Sequence, residues 1–193
     1  MDIGFAEPDA FADFARARRR YSVAKLASYL TPSHKGALAM LPLDDVIATA
    51  GWGAEHDLGL QMIALDSIVG TVDRRSSEFD RCFRPRSRRS QVRWQRIAAA
   101  RRRGETMPPI DVYRIGELHF VQDGHHRVSV ARAAGDTMIE ARVREVETAV
   151  AAPDGLMLGT RTGDSSHPAK PRRRGLASRT HRWPRPVRPR TCS

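Results

Sequence analysis

Asp123, Gly124, His125, His126 and Arg127 stand consecutively in this chain of 193 residues. Their types suit an anion. A glycine permits a positive φ and lets a ligand approach the backbone. A guanidinium offers a two-pronged donor to phosphate oxygens. Each imidazole donates one hydrogen bond when neutral and carries charge beside a phosphate if its pKa rises. Asp123 repels a bare phosphate, so its presence suggests that it holds Mg²⁺, positions a hydroxyl or caps a helix. The structural alternatives are an Asp123–Arg127 ion pair across one helical turn and a glycine that merely turns the chain. Zinc is disfavoured, because adjacent helical residues point about 100° apart.

The flanking elements favour the phosphate reading. Leu118 to Gln122 predicts a strand, and residues 125–134 predict a helix ending at Gly135-Asp136. A strand, a glycine turn and a helix start place unpaired N–H groups and a positive dipole end at one point. Ile110 to Ile115 predicts another strand, joined to 118–122 through Gly116-Glu117 as a hairpin. Met138 to Val146 alternates Ile139, Ala141 and Val143 with Glu140, Arg142 and Arg144, the pattern of a half-buried strand. Ser90 to Arg103 predicts a helix with Trp94, Ile97 and Ala98 on one face and Gly104 past its end.

Upstream, residues 9–30 predict a helix with Phe14, Tyr21 and Leu26 in its apolar stripe and a cluster of Arg16 and Arg18 to Arg20. The preferred reading of that cluster is a solvated face; the alternative is a phosphate-contacting arm. A short helix over 42–50 ends at Gly51. Residues 51–59 read as a loop, Leu60 to Leu65 as a short strand, and 70–90 as a long loop or broken helix anchored by Phe79 and Phe83.

The formal charge is +11, with 33 Lys/Arg against 22 Asp/Glu. Residues 151–193 hold ten of the basic and two of the acidic residues, so the tail carries +8 and the rest +3. The tail also holds six of the 12 prolines and has no apolar periodicity, so it is expected to be disordered. It reads equally as a nucleic-acid-binding segment and as an uninformative low-complexity end. Two cysteines, Cys82 and Cys192, are too few for a disulfide framework and lack metal-ligand spacing. No signal-peptide pattern is visible, and no apolar run approaches the ~20 residues of a membrane span. A cytoplasmic location is the expectation.

Residues 61–146 resemble the ParB/sulfiredoxin superfamily. The resemblance rests on Ile63-Ala64-Leu65-Asp66-Ser67-Ile68, then Arg74, the helix 90–103, Pro109-Ile110-Asp111-Val112, Gly124-His125-His126-Arg127 and Ile139-Glu140-Ala141. It implies an α+β fold, with a small mixed sheet and packed helices, over 59–148. A helical N-terminal extension (1–58) precedes it and the basic tail (149–193) follows. Sulfiredoxins carry a catalytic cysteine where this chain has His125, which argues against reductase chemistry. ParB partition proteins bind CTP through Gly-Glu-Arg-Arg, two letters of which are histidines here, and no helix-turn-helix module is legible after residue 150. ParB-like kinases of free serine carry Asp-Gly-His-His-Arg, letter for letter.

The resemblance therefore implies a nucleoside di- or triphosphate bound by Arg74, Gly124, His125, His126 and Arg127, with Mg²⁺ on Asp123. Phosphoryl transfer would add a residue that orients an acceptor hydroxyl, for which Asp73 and Glu78 are the candidates. The leading expectation is a nucleotide-binding regulatory or DNA-associated module. The alternatives are a small-molecule kinase or nucleotide hydrolase, and a non-specific nucleic-acid binder working through the tail and residues 81–103. The expected partners are a nucleotide, DNA and a second copy of the chain in a homodimer, and no membrane.

Overall fold

Six strands join into one mixed sheet in a computed structural model of the chain, which describes residues 6–30, 38–72 and 78–148. The strands are β1 (Leu41–Pro42), β2 (Glu55–Ala64), β3 (Ile68–Thr71), β4 (Ile110–Ile115), β5 (Leu118–Asp123) and β6 (Met138–Val146). Their spatial order is β1-β3-β5-β4-β6-β2. The β4–β5 hairpin and the β2–β6 pair are antiparallel; β1–β3, β3–β5 and β4–β6 are parallel. Four helices accompany them: α1 (Ala6–Leu30), α2 (Leu43–Ala50), α3 (Gln91–Arg102) and α4 (His125–Ala134). This is the expected α+β arrangement of a small mixed sheet with packed helices. The basic tail lies outside the described residues.

The sheet is covered on both faces, which explains why β5 is apolar along its middle rather than alternating. Phe120 packs with Leu43, Val46 and Ile47 of α2 and with Ile115 and Val146. Its neighbour Val121 points to the opposite side, with Val112 and Val143, against residues of α1, α3 and α4. Both are fully buried. α1 contributes Ala10, Phe14, Ala17 and Tyr21, a stripe at helical spacing, and Phe14 meets Trp94 of α3 edge-on at 5.5 Å. Leu26, expected in that stripe, is exposed. It lies five residues past Tyr21, roughly 140° around the helix.

Of the two expected loops, the first is largely a strand and the second is a loop as expected. Residues 55–59 belong to β2, a ten-residue strand whose register with β6 shifts between Asp57 and Gly59. Its polar and exposed first half hides the strand from a hydrophobic pattern. Residues 78–90 are an ordered loop without a helix, pinned by a Phe79–Pro85 bridge. Asp80, fully buried, accepts the N–H groups of Cys82 (3.0 Å) and Arg84 (2.8 Å) and the Arg84 Nε–H (2.8 Å). That closes a turn tight enough to hold Phe83 at φ +57°. No helix among the described residues is long and apolar enough to cross a membrane.

Candidate phosphate site at the start of helix α4

Gly124 joins β5 to α4 with φ +106°. A Cβ there would lie 2.4 Å from Ile110 Cγ2 and 2.8 Å from Ile110 Cβ, so both the backbone conformation and the approach of β4 require glycine. Gly124 O accepts the Val128 N–H at 3.0 Å, and no side chain caps the helix. The first turn of α4 therefore presents its donors without a capping oxygen.

The three side chains of that turn are each gripped by a different element. His125 Nε2 is hydrogen-bonded to Thr71 Oγ1 of β3 at 2.7 Å, and the ring lies tilted over Phe83, centroids 6.1 Å apart. His126 meets Phe79 edge-on at 5.0 Å. Arg127 Nη1 donates to the carbonyl oxygens of Pro108 (2.6 Å) and Pro109, and Nη2 donates to Asp123 Oδ2. The Asp123–Arg127 pair across one turn, foreseen as the structural alternative, is thus present, and Arg127 also ties α4 to the entry of β4.

Of the two charge states the sequence allowed, His126 takes the neutral one. Burial pushes the His126 pKa down to about 4, the Arg93 cation and His125 push in the same direction, and Asp123 pulls it back. His126 is neutral at pH 7. Its Nε2 is buried without a hydrogen bond. The nearest carboxylate oxygen, Glu78 Oε2 at 3.7 Å, is beyond hydrogen-bond reach. A neutral imidazole with its N–H on Nε2 donates to a phosphate oxygen without adding charge.

Of the residues named from sequence, Asp123, Gly124, His125, His126 and Arg127 converge, and Glu78 is brought beside His126. Asp73 and Arg74 lie outside the described residues. Asp123, with its side chain 60 % exposed, offers one carboxylate. No cluster of three His, Cys, Asp or Glu suited to a metal occurs among the described residues. Sequence reasoning missed Thr71, Phe79, Phe83 and Arg93 as parts of this site. Phe79 and Phe83 were visible as the apolar anchors of their loop, but nothing in the sequence paired them with the histidines.

A third histidine supports the same assembly from below. His119 of β5 is 7 % exposed and donates Nδ1–H to Ser67 Oγ at 2.8 Å, since the Ser67 hydroxyl donates to Ala64 O at 2.6 Å. Burial and the nearby Arg114 lower its pKa to about 4, and its Nε2 is buried without a partner. Arg132 of α4 donates to Leu65 O (2.6 Å) and Ile68 O (3.0 Å) and lies over the Phe83 ring at 5.4 Å. Burial lowers the Arg132 pKa, against the opposing pull of Asp66 and Asp80. These contacts lock α4 to the β2–β3 junction and to the loop that carries Phe79 and Phe83.

No family model and no curated protein matches the chain. Among solved structures it is similar to sulfiredoxin from Arabidopsis thaliana, at 18 % identity over 46 % of this chain and 86 % of that one, with a TM-score of 0.35.

Proposed function

We propose that the chain is a ParB/sulfiredoxin-like module that binds a nucleoside phosphate, with Mg²⁺, at the first turn of α4. The observation that carries this reading is the pairing of an uncapped helix start, preceded by a left-handed Gly124, with the buried and unpartnered Nε2 of His126. In this reading the α4 N–H groups and His126 receive a phosphate group, and the exposed Asp123 carboxylate receives the metal that accompanies it. Arg127 neutralises Asp123 in the free protein, and with Mg²⁺ held by that carboxylate its Nη2 donors would be available to a phosphate oxygen. The metal's contribution is to offset phosphate charge.

Titration calorimetry and melting curves with ATP, ADP and CTP, each with and without Mg²⁺, test the proposal. The expected result is saturable binding that requires Mg²⁺ and weakens at least tenfold in Asp123→Asn, whose exposed side chain is replaced without disturbing the core. No heat and no melting shift with any nucleotide would sink the reading. The position of Glu78, 3.7 Å from His126, favours a second reading in which its carboxylate orients the hydroxyl of a small acceptor for phosphoryl transfer. Glu78→Gln should then bind nucleotide normally but lose acceptor-dependent turnover. Binding without turnover across serine and other hydroxylated acceptors leaves only the binding module.

A further inference from the structure

The arginine cluster of α1 does not stand alone. Residues 14–30 contain five Lys/Arg and no Asp/Glu, and residues 81–103 contain ten Lys/Arg and no Asp/Glu. The fold packs these two acid-free segments side by side. Phe14 rests on Trp94, and Arg86 Nε donates to Tyr21 Oη at 3.3 Å. Between them runs an open groove of about 410 Å³, lined by Phe11, Arg18, Arg19 and Ser22 of α1, by Arg88 of the loop before α3 and by Gln91 at the start of α3.

Three acidic residues that flank these segments are taken up by arginines within them, and Glu7, in the first turn of α1, forms no ion pair among the described residues. Asp9 and Asp13 pair with Arg102, Asp13 also with Arg16, and Asp80 with Arg84. On α1 this leaves Arg18, Arg19, Arg20 and Lys25 without a carboxylate partner among the described residues. Arg88 and Arg89 of the loop and Arg93 and Arg96 of α3 are likewise exposed and unpaired with acid. Arg18 Nε is buried without a hydrogen-bond partner at the groove. The start of α3, whose Ser90 makes no side-chain cap, adds the positive end of a 12-residue helix. Crowding this many cations without counter-charge destabilises the free protein, and a polyanion relieves it.

We infer that this face, formed by α1, the 84–90 loop and the first turns of α3, binds the phosphate backbone of duplex DNA without reading sequence. The α1 helix is about 37 Å long, close to one turn of duplex. Single-strand binders stack successive bases on several aromatic rings. Here Tyr21 and Trp94 are buried in the core, and among the described side chains Phe11 is the lone exposed ring at the groove. A membrane surface fits less well. Among the described side chains of α1 the exposed large apolar ones, Phe11, Val23 and Leu26, do not form one patch, since Phe11 and Leu26 lie about 22 Å apart along the helix with the arginines between them.

The test uses the full chain, with a 30-bp duplex, poly-dT and vesicles carrying anionic lipid, over a range of salt. Arg19→Glu/Arg88→Glu and, separately, Arg89→Glu/Arg93→Glu replace exposed side chains, and unchanged melting curves confirm that each variant folds. Arg172→Glu/Arg173→Glu/Arg174→Glu in the tail is the control. Each face variant should weaken duplex binding at least tenfold and reduce the salt-dependence slope by about 1.8, two contacts at roughly 0.9 each. Duplex affinity that survives both face variants but is lost with the tail variant overturns the inference. Tighter binding to poly-dT, or binding to vesicles and not to duplex, overturns it as well.

Discussion

Acidification should unfold this protein through two histidines that the native state keeps neutral. His119 and His126 both have pKa values lowered from an ordinary 6.5 to about 4. Between those values the unfolded chain binds protons that the native chain does not. Stability is therefore fully present above about pH 6.5 and is lost as pH falls toward 4. From pH 7 to pH 5, a shift of this size removes roughly 2 kcal/mol per fully buried site. His119, inside the sheet, should give about that value. His126 sits at the edge of the site, where solvent screens it, and should give about 1 kcal/mol. Urea unfolding at pH 7 and pH 5 measures the total, and the variants His119→Asn and His126→Asn apportion it. Each variant should lose less stability on acidification than the parent, His119→Asn by the larger margin. NMR titration of the histidine ring protons supplies an independent reading of both midpoints. An acid-induced loss identical in parent and variants, or ring-proton midpoints near 6.5, would refute the burial argument. A bound phosphate adds negative charge beside His126 and should raise its midpoint while leaving that of His119 in place, which links this titration to the nucleotide reading.

Gly124→Ala combines a positive φ with a Cβ driven against Ile110 and should cost about 2–4 kcal/mol in urea unfolding; a loss under ~1 kcal/mol would show that β4 yields easily. Asp80→Ala strands two N–H groups and the Arg84 guanidinium around a fully buried position, so a loss of about 3–5 kcal/mol is expected. The same variant should release Phe79 and Phe83 from the histidines, read as loss of the ring-current shifts of His125 and His126; Asp80→Asn, which keeps an acceptor, should be milder. Trp94→Phe removes the Nε1–H donated to buried Ser129 Oγ at 2.9 Å and should lower stability by about 1–2 kcal/mol without altering nucleotide affinity.

The hairpin β4–β5, helices α3 and α4 and strand β6 were legible because each has a local cause: a two-residue turn, a period of 3.6 or 2, and a glycine past each helix end. The strand-glycine-helix setting of Asp123 to Arg127 was legible for the same reason. Strand β3 and the first half of β2 were not. β3 is four residues long and parallel to both of its neighbours, and the start of β2 is polar and exposed, so neither carries a hydrophobic pattern of its own. The solvated reading of the α1 arginines was sound for α1 in isolation. Its one-sided charge became evident only when the fold set it beside another acid-free segment.

Residue order alone determined that a glycine turn would place two histidines and an arginine at the start of a helix, because strand, turn and helix signals act within a few residues. Tertiary structure decided the electrical state of those side chains. Phe79 and Phe83 reach the histidines from a loop more than forty residues upstream, Thr71 bonds His125 from a parallel strand, and the Pro108 and Pro109 carbonyls hold Arg127. Burial and the position of Arg93 then make His126 neutral where the sequence allowed a cation. Desolvation depends on what surrounds a group in space, and no local pattern encodes that.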